Sequence, residues 1–69
     1  MKVYRKFSVY FTEYNGYVTY RIVEENGRYR LQEHLTNCRK WIDVYKDVTY
    51  PTPIALISSA HFQRLFFNL

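Results

Sequence analysis

The chain holds one cysteine, two glycines and two prolines in 69 residues. A single thiol, Cys38, excludes an internal disulfide. Both glycines follow an asparagine, at Gly16 and Gly27, so no glycine-rich loop remains to cradle a phosphate. His34, His61 and scattered carboxylates do not make a zinc set. His34 and Cys38 have ligand spacing, but no third or fourth ligand completes them. No metal and no other cofactor is expected. No apolar run approaches the roughly 20 residues of a membrane span. The residues after Met1 and Lys2 mix polar and apolar types, unlike a signal-peptide core. These absences predict a cytoplasmic chain, and a lone thiol suits a reducing compartment. The length and the start at Met1 read as a whole gene product with one domain, 1–69.

What is plentiful is aromatic and basic. Five Phe, eight Tyr and one Trp make up 20% of the chain. A core this small supplies only about 3–5 kcal/mol. Without disulfide or metal, large aromatic residues or a partner chain must supply the rest. Net charge is +4, with ten Lys and Arg against six Asp and Glu. The excess sits in residues 1–40, which hold Lys2, Arg5, Lys6, Arg21, Arg28, Arg30, Arg39 and Lys40. Against them stand Glu13, Glu24, Glu25 and Glu33. Such a balance favours a polyanionic partner without requiring one.

Two Asn-Gly pairs, at Asn15-Gly16 and Asn26-Gly27, carry the sharpest local signal. Asn-Gly between alternating residues predicts a two-residue hairpin turn with positive φ at both positions. The flanks alternate. Val3, Phe7, Val9 and Phe11 share one side, as do Val18, Tyr20 and Ile22, and then Tyr29, Leu31 and Leu35. With two-residue turns, Tyr14 opposes Tyr17, Phe11 opposes Tyr20, Val9 opposes Ile22 and Ile22 opposes Leu31. The apolar sets then meet on one face. Arg5 and Glu33 fall on that face as misfits; either they sit at its rim, or strand one bulges near Arg5.

The remainder divides into two segments. Residues 41–50 alternate, with Ile42, Val44, Val48 and Tyr50 on one side, and predict a fourth strand at an edge. Helical spacing through Leu31, Leu35, Cys38, Ile42 and Tyr45 competes with it, but Thr36-Asn37 interrupts that run. Thr52 followed by Pro53 predicts a helix start, and the helix should run to about Asn68. The fold class expected is α+β, a three-stranded antiparallel meander with a possible fourth edge strand, packed on one C-terminal helix.

That helix carries two stripes. Ile54, Ala55, Phe62, Leu65, Phe66 and Leu69 make a wide one for the sheet. Leu56, Ala60, Gln63 and Phe67 make a second with the spacing of a helix–helix seam. The second stripe predicts a homodimer.

Chemistry-bearing constellations are few. Ser58, Ser59 and His61 lie inside a helix, where serine lacks the strained turn a nucleophile needs. Cys38 beside Arg39 and Lys40 has no base assigned to it. No enzyme is expected. The exception is the second sheet face. It gathers Lys6, Tyr10, Tyr17, Arg21, Arg28 and Arg30, with Tyr4, Ser8, Thr12, Thr19, Val23, Gln32 and His34 among them. Guanidinium groups neutralise phosphates and read guanine edges, and tyrosines stack on unpaired bases. The reading is a small non-enzymatic binding protein, nucleic-acid-binding or regulatory, of a size common in phages and mobile elements. The alternative is a protein-interaction module, such as an inhibitor of a host enzyme or an antitoxin-like partner, because Tyr and Arg also anchor protein interfaces.

In layout, the hairpin pair at residues 7–35 and the helix after it resemble the arm-type DNA-binding domains that precede tyrosine recombinase catalytic domains. Those domains lie with the sheet in the major groove. The resemblance is one of topology, and residues 36–50 are an insertion relative to it.

Overall fold

Asn26 and Gly27 both take positive φ, 55° and 75°, in the computed structural model, which describes residues 1–67. They form the two-residue turn that joins β2 (Gly16–Glu25) to β3 (Arg28–Leu35). Glu25 pairs with Arg28 and Ile22 with Leu31, the register that such a turn imposes.

The first hairpin departs from expectation. Only Asn15 of its Asn-Gly pair takes positive φ, 52°. β1 (Lys2–Phe11) pairs with β2 from Phe11 opposite Gly16, so residues 12–15 form a four-residue loop. The Tyr14 and Asn15 N–H groups donate to the Phe11 and Thr12 carbonyls at 3.2 and 3.3 Å. The Tyr10 hydroxyl donates to the Asn15 side-chain oxygen. A short helical turn therefore closes on one left-handed asparagine, a conformation its small polar side chain tolerates. Tyr10, not Tyr14, opposes Tyr17, and Phe7, not Phe11, opposes Tyr20. Val9 meets Val18, and Arg5 meets Ile22. The slip from Phe11 to Phe7 is an even number of residues, so each of these side chains keeps its face.

A bulge lies between Val3 and Arg5, but it does not relieve the misfit: Arg5 still pairs with buried Ile22 and stays exposed at the rim of the apolar face. The bulge reverses what precedes it. Val3, expected on the apolar side, pairs with Val23 on the opposite face.

β3 joins β4 (Lys40–Asp43) through residues 36–39, again a four-residue loop whose last residue, Arg39, takes positive φ of 54°. The sheet is antiparallel with order β1-β2-β3-β4. The fourth strand is shorter than the expected 41–50. The Val44 N–H still reaches the Leu31 carbonyl at 3.0 Å, then the chain turns through Asp47 at φ 62°. Tyr50 rejoins through an isolated bridge to Tyr29, with two backbone hydrogen bonds of 2.8 Å.

The single expected helix is two. α1 (Pro53–Ser58) starts where Thr52 and Pro53 place it, with the Thr52 hydroxyl accepting from the Ala55 N–H at 3.0 Å. It ends at Ser59, which is extended at φ −64°, ψ 152°. The Ser59 N–H and hydroxyl both donate to the Leu56 carbonyl, at 3.2 and 2.7 Å. The same hydroxyl oxygen accepts from the Phe62 N–H at 3.2 Å and so caps α2 (Ala60–Phe67). A serine that bonds the nearby backbone competes with the helix ladder, and here it wins. The expected end at Asn68 and the stripe position Leu69 lie outside the described residues.

The helices cover one sheet face. Tyr20, Ile22, Leu31, Leu56 and Phe62 form the buried centre, ringed by Phe7, Phe11, Tyr29, Val44 and Phe66 among others. Tyr20 stands edge-on to Phe66 at 4.9 Å and stacks with Phe7 at 5.7 Å. Burial pushes the Tyr20 phenol up to about 12, and the charge of Glu33, directly opposite in the ladder, adds to the effect. Among the described residues, no helix is long and apolar enough to cross a membrane.

Candidate functional site

The sheet face away from the helices has two halves. Where β2, β3 and β4 run side by side, it is closed by its own side chains. Gln32 is nearly fully buried there, and Val23, in the row of Val3 and Arg30 just beyond, is fully buried. Arg21, Gln32 and Asp43 occupy one row across these strands. Arg21 Nε donates to Gln32 Oε1 at 2.8 Å, and Gln32 Nε2 donates to Asp43 Oδ1 at 3.0 Å. Arg30 Nε donates to the same Asp43 oxygen at 3.1 Å, and its Nη2 donates to Glu25 at 3.0 Å. The Glu25 hydrogen bond, with the Asp43 charge behind it, raises the Arg30 pKa above its ordinary value. Arg30 is therefore neutralised within the fold.

Arg21 is held differently. Its partners are the neutral Gln32 amide and the Trp41 ring, whose centre lies 4.3 Å from the guanidinium carbon. The cation is positioned, and it makes no ion pair among the described residues. The Lys6 ammonium stands 5.8 Å from the same ring centre, and the His34 ring 4.8 Å from it. Trp41 thus organises two cations and an imidazole on this face.

The half nearer the first hairpin is open. Tyr10 is 46% and Tyr17 74% exposed. Their rings meet edge-on at 5.2 Å because the four-residue loop sets them opposite one another. Ser8 and Thr19 share a hydrogen bond of 2.9 Å in the neighbouring row. Lys6 is exposed in the row after that, opposite Arg21.

Four of the six residues named from sequence, Lys6, Tyr10, Tyr17 and Arg21, thus lie on one surface. The other two do not join it as free cations. Arg30 is spent on Glu25 and Asp43. Arg28 keeps its charge, because its partner Thr49 is neutral, but it is clamped at the far end of the sheet, donating from Nε and Nη2 to the Thr49 hydroxyl and carbonyl at 3.0 and 3.1 Å. Trp41 was not among the named residues. Its signal was available, since it alternates with the Ile42 and Val44 side.

The proposed seam on the helix is not one surface. Leu56 is 1% exposed and belongs to the core. Gln63 donates from Nε2 to the Ile57 carbonyl at 2.8 Å and bridges the break between the helices. Ala60 and Phe67 remain exposed on α2. The bend at Ser59 separates Leu56 from the other three.

A second surface lies between β1 and the helices. It is an open apolar cleft of about 360 Å³, lined by Phe7 and Val9 from β1 and by Ile57, Phe66 and Phe67, with Arg5 in its wall. His61 stacks on Tyr45 at 4.4 Å and shares a hydrogen bond with the Tyr50 hydroxyl at 3.2 Å. Ser59 is occupied by capping, with its hydroxyl bonded to the Leu56 carbonyl and the Phe62 N–H. Comparison of the chain with protein-family models, with curated proteins and with solved structures gives no match.

Proposed function

We propose that this is a small, non-enzymatic, regulatory binding protein that takes a single strand of nucleic acid on its outer sheet face. The observation that carries this reading is the edge-on Tyr10 and Tyr17 pair, largely exposed, beside the cations Lys6 and Arg21, which make no ion pair among the described residues. Aromatic rings with solvent-facing surfaces stack on bases irrespective of sequence. Cations without a protein counter-charge release counterions when they meet phosphates. Single strands are favoured over duplex because the open rings need unstacked bases. A cytoplasmic setting belongs to this reading, with the exposed Cys38 kept reduced.

The test is a titration of labelled single-stranded DNA and RNA oligonucleotides at low salt. Binding should weaken steeply with added salt. Tyr17→Ala should weaken it by about 1–3 kcal/mol, the usual worth of one stacked base. No binding of either nucleic acid at low salt removes the proposal.

The apolar cleft beside Arg5 supports the second reading, a protein-interaction module. Partners that stay bound in a lysate after nuclease treatment would favour it. Partners lost on nuclease treatment favour the first.

A further inference from the structure

β1 is an edge strand, and its two halves are protected unequally. Lys2, Arg5, Lys6 and the bulge before Arg5 occupy the first half. Lysines and bulges are the devices that stop an edge from pairing with another chain. Residues 7–11, Phe-Ser-Val-Tyr-Phe, carry no charge, no proline and no bulge. They alternate cleanly and leave one edge unpaired.

The direction of the free backbone groups can be read from the hairpin. The Phe11 carbonyl accepts from Tyr14 inside the loop, so it points toward β2. Backbone groups alternate along a strand. The N–H and C=O groups of Tyr10, Ser8 and Lys6 therefore point out of the sheet. A strand added here must pair with those three residues.

We infer that the occupant of this edge is a second copy of the chain, paired antiparallel through β1 about a two-fold axis at Ser8. An axis at Lys6 would set two ammonium groups directly opposite, which is destabilising. An axis at Tyr10 would draw the loop residue Thr12 into the ladder and shorten it. With the axis at Ser8, Lys6 lies opposite Tyr10 of the second copy, and Phe7 opposite Val9. Arg5 lies opposite Phe11 of the second copy, on the way to the Glu13 that follows it. Arg5, Lys6 and Glu13 make no ion pair among the described residues. The cationic half of each strand thus meets the neutral half of the other, with Glu13 of the loop just beyond its end.

The same pairing accounts for the apolar cleft. Phe7 and Val9 line it from β1, while Ile57 and Phe67 are 40% and 59% exposed on the helices. Pairing at the β1 edge brings the two clefts together across the axis, on the helix side of a continuous eight-stranded sheet. The outer faces, with their tyrosine pairs, then join into one surface.

Disulfide trapping in the full chain, with Cys38→Ser as background, tests the register. Paired positions in such a ladder have Cα atoms about 5.5 Å apart, within disulfide reach. Ser8→Cys should cross-link to a covalent dimer under mild oxidation, and Tyr10→Cys should not. Sedimentation of the parent chain should show a dimer. Ser8→Asp, which sets two carboxylates opposite at an exposed position, should weaken that dimer about tenfold or more. A monomer at high concentration overturns the inference. So does a dimer that Ser8→Cys fails to trap, or one that Tyr10→Cys traps faster.

Discussion

The guanidinium of Arg21 lies over the ring of Trp41 at 4.3 Å, although the two residues sit on β2 and β4 with β3 between them. The contact crosses the row in which Arg21 bonds Gln32, so the arginine covers the buried amide and rests on the indole. One side chain closes part of the outer face and leaves its own charge available.

Trp41 is the only tryptophan, so its fluorescence reports this contact without labelling. Arg21→Ala should shift the emission and destabilise the fold by about 1 kcal/mol, combining a lost cation–π contact with an unpartnered Gln32 oxygen. Denaturant unfolding measures the second effect. Addition of a single-stranded oligonucleotide should change the emission of the parent protein, and an unchanged spectrum at saturation would separate Trp41 from the binding surface.

Ser59→Ala removes both functions of the hinge between the helices. The cap of α2 is lost, at a cost of about 0.5–2 kcal/mol. Ser58→Ala, one residue earlier and exposed, should change stability by less than about 0.5 kcal/mol. Equal effects at the two positions would contradict the capping role.

The two glycines should respond differently to alanine. Gly27 has open space around it but φ of 75°, so Gly27→Ala should cost about 1–2 kcal/mol from backbone strain alone. Gly16 has no such φ, and an added Cβ would meet only the Tyr14 carbonyl at 3.8 Å. Gly16→Ala should be neutral or stabilise by about 0.4–1 kcal/mol. Thermal unfolding of the two variants checks the difference between the hairpins.

Alkaline stability should carry the signature of Tyr20. Its phenol is raised to about 12 in the folded protein against an ordinary value of 10.0. The folded state therefore holds its proton longer than the unfolded state. The associated stability is complete below pH 10 and falls as pH rises from 10 toward about 12. Tyr20→Phe keeps the ring in the core and should flatten that fall. If the pH dependence of unfolding is unchanged in Tyr20→Phe, another group is responsible.

Face assignment within the sheet was legible from Arg5 onward because it depends on parity alone, and it failed at Val3, where the bulge breaks parity. The first hairpin shows this well. The loop is two residues longer than its Asn-Gly signal implies, yet Phe7, Val9, Tyr20 and Ile22 still face the core. Cross-strand neighbours in the first hairpin were not legible, since Asn15 closes the longer loop as readily as it would a tight turn. The candidate site was read to the same depth. Lys6, Tyr10, Tyr17 and Arg21 share a face, as alternation requires. Where each cation goes depends on Glu25 across the second turn and on Asp43 and Thr49 from later segments, which alternation does not place.

The amino-acid order by itself determined the three-strand meander, the tight reversal at Asn26 and Gly27, the helix start at Thr52 and the division into apolar and polar faces. Each follows from local backbone preference or from strict alternation. Only the tertiary structure decided the length of the first loop, the break at Ser59, the core place of Leu56 and the neutralisation of Arg30. The first loop and the Ser59 break rest on hydrogen bonds between residues three to five apart that compete with a local preference by a small margin, whereas Leu56 and the Asp43 partner of Arg30 come together only when the chain is folded.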